Sequence, residues 1–166
     1  MATHEIPILG HATRPDASGD VFQEPYSIKA TNDLWDQFVW IFNDSSTRIG
    51  LKGLFRVPQN YVGTAAILVS WTSIATTGDW ELDFDYRAVA IGESMDQATA
   101  QETVNINDTA PGSVNLFQEA SLSLTDANLA AGDLVSFEFF RDGTDAGDTM
   151  AAAAIVFGAY FSYADA

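Results

Sequence analysis

The sequence predicts an all-β fold, a jelly-roll-like antiparallel β-sandwich with an extended N-terminal arm. Three observations predict it. Apolar residues recur with period two in successive runs, turn-forming residues separate those runs, and no amphipathic helix of any length is visible. Crossing connections and an even strand count favour a jelly roll over an immunoglobulin-like sandwich, which carries fewer strands. At 166 residues the chain suits one domain with a real core, divided into an arm over 1–25 and a sandwich over 26–166.

The arm holds Pro7, Pro15 and Pro25 with Gly10 and Gly19 and has little periodicity. Ile6, Ile8 and Leu9 give it something to bury. Two readings stand: an arm that docks on a neighbour or a lattice, and a terminus that wraps its own domain. The histidines, His4 and His11, sit here and read as solvated.

Strands begin at Tyr26. In 37–42, Phe38, Trp40 and Phe42 share one face and Val39 and Ile41 the other, as in a central strand. In 49–57, Ile49, Leu51, Phe55 and Val57 point inward, Lys52 and Arg56 outward, and Pro58 ends the run. Residues 64–74 turn Ile67, Val69 and Trp71 inward. In 79–90, Trp80, Leu82, Phe84 and Tyr86 alternate with Asp79, Glu81, Asp83, Asp85 and Arg87, a half-buried strand with a solvated acidic face. A polar connection over 91–100 is long enough to cross between sheets. Strands over 101–107 and 114–124 follow, with Phe117 facing out, and Thr125 to Ala131 reads as a short helical turn.

The last stretch, Asp133 to Tyr163, reads as two long strands joined by the acidic turn Asp142-Gly143-Thr144-Asp145-Ala146-Gly147-Asp148. In the second of them both faces are apolar. Met150, Ala152, Ala154, Val156 and Tyr160 therefore need a cover besides their own core, and they are the expected self-association face of a homo-oligomer. A strand buried within one sandwich is the other reading.

The chemistry is sparse. A net charge of −16, from 23 acidic residues against seven basic ones, argues against nucleic acid or an anionic membrane as partner. There is no cysteine, no zinc spacing, no phosphate loop and no placed histidine for a Ser-His-Asp triad. No enzyme and no cofactor are expected. Asp142, Asp145 and Asp148 are the weak metal candidates, since three carboxylates among glycines could hold a calcium ion; a turn in which Asp and Gly simply supply the conformations is the favoured reading. Trp35, beside Asp36, is the candidate sugar platform, because Trp71 and Trp80 fall on core faces. Residues 1–10 lack the features of a signal peptide, so a soluble protein made inside a cell is expected.

Four phrases carry a resemblance: Glu24-Pro25-Tyr26-Ser27-Ile28-Lys29-Ala30-Thr31-Asn32-Asp33, Phe55-Arg56-Val57-Pro58-Gln59-Asn60-Tyr61-Val62-Gly63, Asp83-Phe84-Asp85-Tyr86-Arg87-Ala88, and Phe140-Arg141-Asp142-Gly143-Thr144-Asp145 with Gly147-Asp148-Thr149. Together they resemble small virion structural proteins of tailed bacteriophages. That resemblance implies a head decoration (cement) protein, made in the host cytoplasm and seated on the capsid surface. It also implies a homotrimer with the major capsid protein as partner. Such a protein stabilises the assembled shell by binding it and not its loose subunits. The arm residues Ile6, Ile8 and Leu9 are then the docking candidates. The alternative is a tail or head-fibre module that binds a receptor or carbohydrate through Trp35.

Overall fold

Two antiparallel sheets face each other, and the period-two runs supply their inner faces. The computed structural model describes residues 1–9, 14–15, 21–27 and 36–166. The first sheet contains β1 (Thr3–Pro7), β3 (Val21–Ser27), β4 (Asp36–Phe42), β6 (Tyr61–Ser73), β9 (Gln118–Ser123) and β11 (Ala154–Asp165). Its order is β3-β4-β11-β6-β9, with β1 also paired to β11. The second contains β2 (Arg14–Pro15), β5 (Arg48–Arg56), β7 (Asp79–Val89), β8 (Glu102–Thr109) and β10 (Leu134–Asp142), in the order β2-β5-β10-β7-β8. The fold is thus an all-β jelly-roll sandwich, with a 3-10 turn at Asp126–Asn128.

Between the sheets lie Trp71 and Trp80, with ring centroids 5.0 Å apart, and Phe42, which meets Phe139 edge-on at 5.3 Å. Phe84 stacks on Phe137, and Phe161 on Tyr163. Rings of this size dominate the buried apolar area and lock the sheet spacing.

The two-faced apolar strand is resolved by a bulge. Val156 pairs with Trp71 and Gly158 with the adjacent Ser70, so two residues of β11 advance against one of β6. The phase of the strand therefore flips at Phe157. Ala154 and Val156 point into the core before it; Ala159, Phe161 and Tyr163 do so after it. The expected self-association face is corrected accordingly. Met150, Ala154 and Val156 are fully buried inside this chain and are not available to a partner, while Ala152 and Tyr160 are half-buried. On the outer side Ile155 packs with Val39 and Ile41 in a small second cluster.

The arm is corrected as well. β1 pairs with the C-terminal half of β11, from Thr3 opposite Ala164 to Pro7 opposite Tyr160, while β4 pairs with its N-terminal half. Ile8 is buried in the main core, and Ile6 and Leu9 pack against it. These side chains close their own sandwich, which removes them as a free capsid-docking surface. Most of the described residues of 1–25 lie in strands, and the 25/26 boundary falls inside β3. At the end of this seam the Ala2 amide donates to Asp165 Oδ1 at 2.8 Å, the Asp165 amide donates to the Ala2 carbonyl at 3.1 Å, and His4 Nε2 lies 2.9 Å from Asp165 Oδ2.

β10 and β11 lie in opposite sheets, so the acidic turn is not the tip of a hairpin; it begins a crossing. Arg141 holds that crossing. Its side chain is wholly buried, pairs with Asp148 through Nε at 2.8 Å and Nη2 at 2.7 Å, and donates to the carbonyls of Met150 and Ala152. The 91–100 connection, by contrast, does not cross: β7 and β8 pair directly within the second sheet. β9 starts later than expected, at Gln118, because Asn115 sits in the left-handed region at φ 59° and breaks the extended run.

Two stability outcomes follow. Ile8→Ala is expected to lower unfolding free energy by about 2–4 kcal/mol in urea titration; a loss below about 0.5 kcal/mol would show that the arm is not part of the core. Arg141→Met should cost about 3–5 kcal/mol by stranding Asp148, and Arg141→Met with Asp148→Leu should recover much of that. A double variant no better than the single would refute the ion pair as the cause.

Candidate functional site

The outer face of the five-stranded sheet gathers most of the paired charge. Outward positions alternate along each strand, so β5 contributes Arg48 and Lys52, β10 contributes Ser136 and Glu138, and β7 contributes Glu81, Asp83, Asp85 and Arg87. Arg48 lies over the Phe140 ring, 4.1 Å from its centroid, and reaches across β10 to Asp83 at 2.7 Å and Asp85 at 3.1 Å. Gly50 makes this possible: a Cβ there would stand 2.3 Å from the Phe140 ring. Lys52 pairs with Glu138. The acidic stripe is therefore not the solvated face its alternation suggested. Glu81 and Asp83 are only 5% and 6% exposed.

Glu81 is the most constrained of these. The 142–148 turn folds back over it; its amide donates to Asp148 Oδ2 at 3.2 Å, and Gly147 packs on Asn107, its partner on β8. Its Oε2 is buried without a hydrogen-bond partner. Burial, then the neighbouring Asp145, Asp83, Asp142 and Asp148, push its pKa up to about 7 from an ordinary 4.5.

Asp142, Asp145 and Asp148 do not converge. Asp142 Oδ1 accepts from the Thr144 amide and hydroxyl, Asp145 Oδ1 from the Gly147 amide, and Asp148 is held by Arg141. Among the described residues no group of three or more His, Asp or Glu side chains is arranged to hold a metal ion. The geometry is that of a turn locked by its own side chains. Trp35 lies outside the described residues. Trp71 and Trp80 are buried, so neither offers a sugar platform.

Sequence reasoning missed the concavity at the other end of the same face. A cavity of about 560 Å³ is floored by Lys52, Leu54, Asp85, Arg87, Ser136 and Glu138 and walled by Met95, Gln97 and Thr99 of the 91–100 connection. That segment is exposed along its whole length. Arg87 Nη1 donates to the Thr99 carbonyl at 3.2 Å, and the Ala88 amide donates to Gln101 Oε1 at 3.1 Å. The volume lies within the usual range of about 300–1,000 Å³ for small-molecule sites. Its lining mixes aliphatic surface from Leu54 and Met95 with charged and amide groups. The outward assignment of Lys52 and Arg87 was the available signal; the curl of the connection over them was not.

No protein-family model matches the chain, and no curated protein matches it. Solved structures do share its fold. The chain is similar to a family 35 carbohydrate-binding module from Clostridium thermocellum, at 12% identity and TM-score 0.55 over the whole of both chains. It is also similar to a CBM35 from Paenibacillus barcinonensis, at 14% identity and TM-score 0.53, covering 99% of this chain and 100% of that one. An exo-β-agarase matches at 8% identity and TM-score 0.55, covering 98% of this chain but 25% of the agarase.

The Glu81 environment sets a pH dependence. A carboxyl whose folded pKa lies above its unfolded value loses stability as pH rises from about 4.5 to about 7, and the loss is complete above that. Glu81→Gln should flatten this part of the stability profile and raise the melting temperature at pH 8. An unchanged profile would show that Glu81 titrates normally. These observations converge on a jelly-roll sandwich that carries an open, mixed-polarity cavity on its second sheet.

Proposed function

We propose that this protein is a non-catalytic carbohydrate-binding module whose site is the cavity beneath the 91–100 connection. The observation that carries the reading is the cavity itself. Outward polar side chains from three adjacent strands converge below an exposed wall, with aliphatic patches from Leu54 and Met95 for the apolar faces of a sugar ring. The similarity in fold to carbohydrate-binding modules supports it. No Ser-His-Asp grouping accompanies the cavity among its lining residues, and its two carboxylates are each held by a cation, Asp85 by Arg48 and Glu138 by Lys52. They act as fixed hydrogen-bond acceptors.

The resemblance to bacteriophage virion proteins supplies a setting for this reading. On a virion, a module of this kind is a host-contacting part, which is the fibre alternative and not the capsid cement. The cement reading came from the same resemblance; of the surfaces it was given, Met150, Ala154, Val156 and Ile8 are buried inside the chain.

A glycan array with the purified chain tests the proposal. Reproducible hits should be lost on Met95→Asp, a change at a residue 54% exposed that leaves the melting temperature unaltered. Hits that survive Met95→Asp and vanish on Trp35→Ala would place recognition elsewhere and overturn the cavity as the site.

A further inference from the structure

We propose that the cavity selects uncharged glycans, reading them through hydroxyl groups and rejecting polyanionic sugars; this rests on the carbohydrate-binding reading above. Three observations carry it. First, the two cations of the lining are already engaged. Lys52 is held by Glu138, and Arg87 Nη1 donates to the Thr99 carbonyl, so a uronate or sulfate group must compete with partners already in place.

Second, the lining lacks a donor where it has an acceptor. Asp85 takes Arg48 on Oδ2, yet its Oδ1 is buried with no donor at all. An unmade bond at a buried acceptor is costly, and Asp85 is one of the residues that line the cavity. A sugar hydroxyl supplies the missing donor, and a carboxylate or sulfate does not. Arg48 is shared between Asp83 and Asp85, and the equal number of cations and carboxylates in the lining leaves no surplus negative charge that would prefer an ammonium group.

Third, the field of the whole molecule agrees with the local count. Lys52 and Arg87 balance Asp85 and Glu138 within the lining, while the chain carries a net −16. A polyanion approaching this face is repelled over the range of the Debye length, and a neutral polymer is not.

Affinity electrophoresis and calorimetry of the full chain against four polymer classes distinguish the outcomes. These are neutral xylan or galactan, polygalacturonate, a sulfated galactan, and deacetylated chitin. The expected result is binding to a neutral polymer that is unchanged between low and high salt. Glu138→Gln should weaken that binding about tenfold at an unchanged melting temperature, because a neutral amide no longer offers a charged acceptor. The salt response of the unmodified chain tests the same point should that variant prove unstable. Preferential binding of polygalacturonate or the sulfated polymer, weakening with salt, would overturn the selectivity while leaving the glycan site intact. Preference for deacetylated chitin would do the same. Absence of binding to every class would instead overturn the carbohydrate reading.

Discussion

A single buried guanidinium makes the sandwich close. β10 belongs to one sheet and β11 to the other, so the chain must leave the first sheet, turn, and enter the second within a dozen residues. Its carbonyls would otherwise be buried without donors. Arg141 supplies them. With a fully buried side chain it grips Asp148 and caps the Met150 and Ala152 carbonyls, which fixes where β11 begins and so which of its residues point inward. The cost of burying the charge is offset by Asp148, itself almost fully buried, and by hydrogen bonds to most of the remaining guanidinium protons.

The same crossing shapes the outer face of the second sheet. Held at Asp148, the 142–148 turn lies over β7 and β8 and buries Glu81 in an acidic neighbourhood, while Arg48 pairs with the next two outward carboxylates along β7. One end of this face is thereby sealed. The other end, beyond Lys52 and Glu138, stays open because β7 and β8 are joined by a long connection and not by a tight turn. The division of the sheet into a closed and an open half follows from the lengths of two linkers.

Much of the fold was legible in the sequence. β5, β6, β7 and β10 appear where alternation placed them, since each has one inward series of large side chains and a turn signal at its end, and β4 appears where expected with apolar residues buried on both faces. β11 misled for a definite reason. Alternation assumes a constant phase, and the bulge at Phe157 gives the strand two phases, so both of its faces look apolar. Arg141 was invisible as a core residue because a charged side chain is read as outward unless its partner is known, and Asp148 is found only by the turn folding back. The cavity was half legible: Lys52 and Arg87 were placed outward, but nothing in residues 91–100 revealed that they curl over the sheet. Ile8 could be read either way until its pairing strand was known.

The seam between β1 and β11 has a further consequence. Because Ala2 and Asp165 bond to each other and His4 meets the same carboxylate, the two ends of the described fold leave the sandwich side by side, on a different pair of strands from those that floor the cavity. A polypeptide with adjacent ends can be spliced into a loop of a host protein, or permuted by joining its ends and opening it at the exposed segment around Gly112, without unpairing a strand. The first sheet thus carries both ends, and the second carries the cavity.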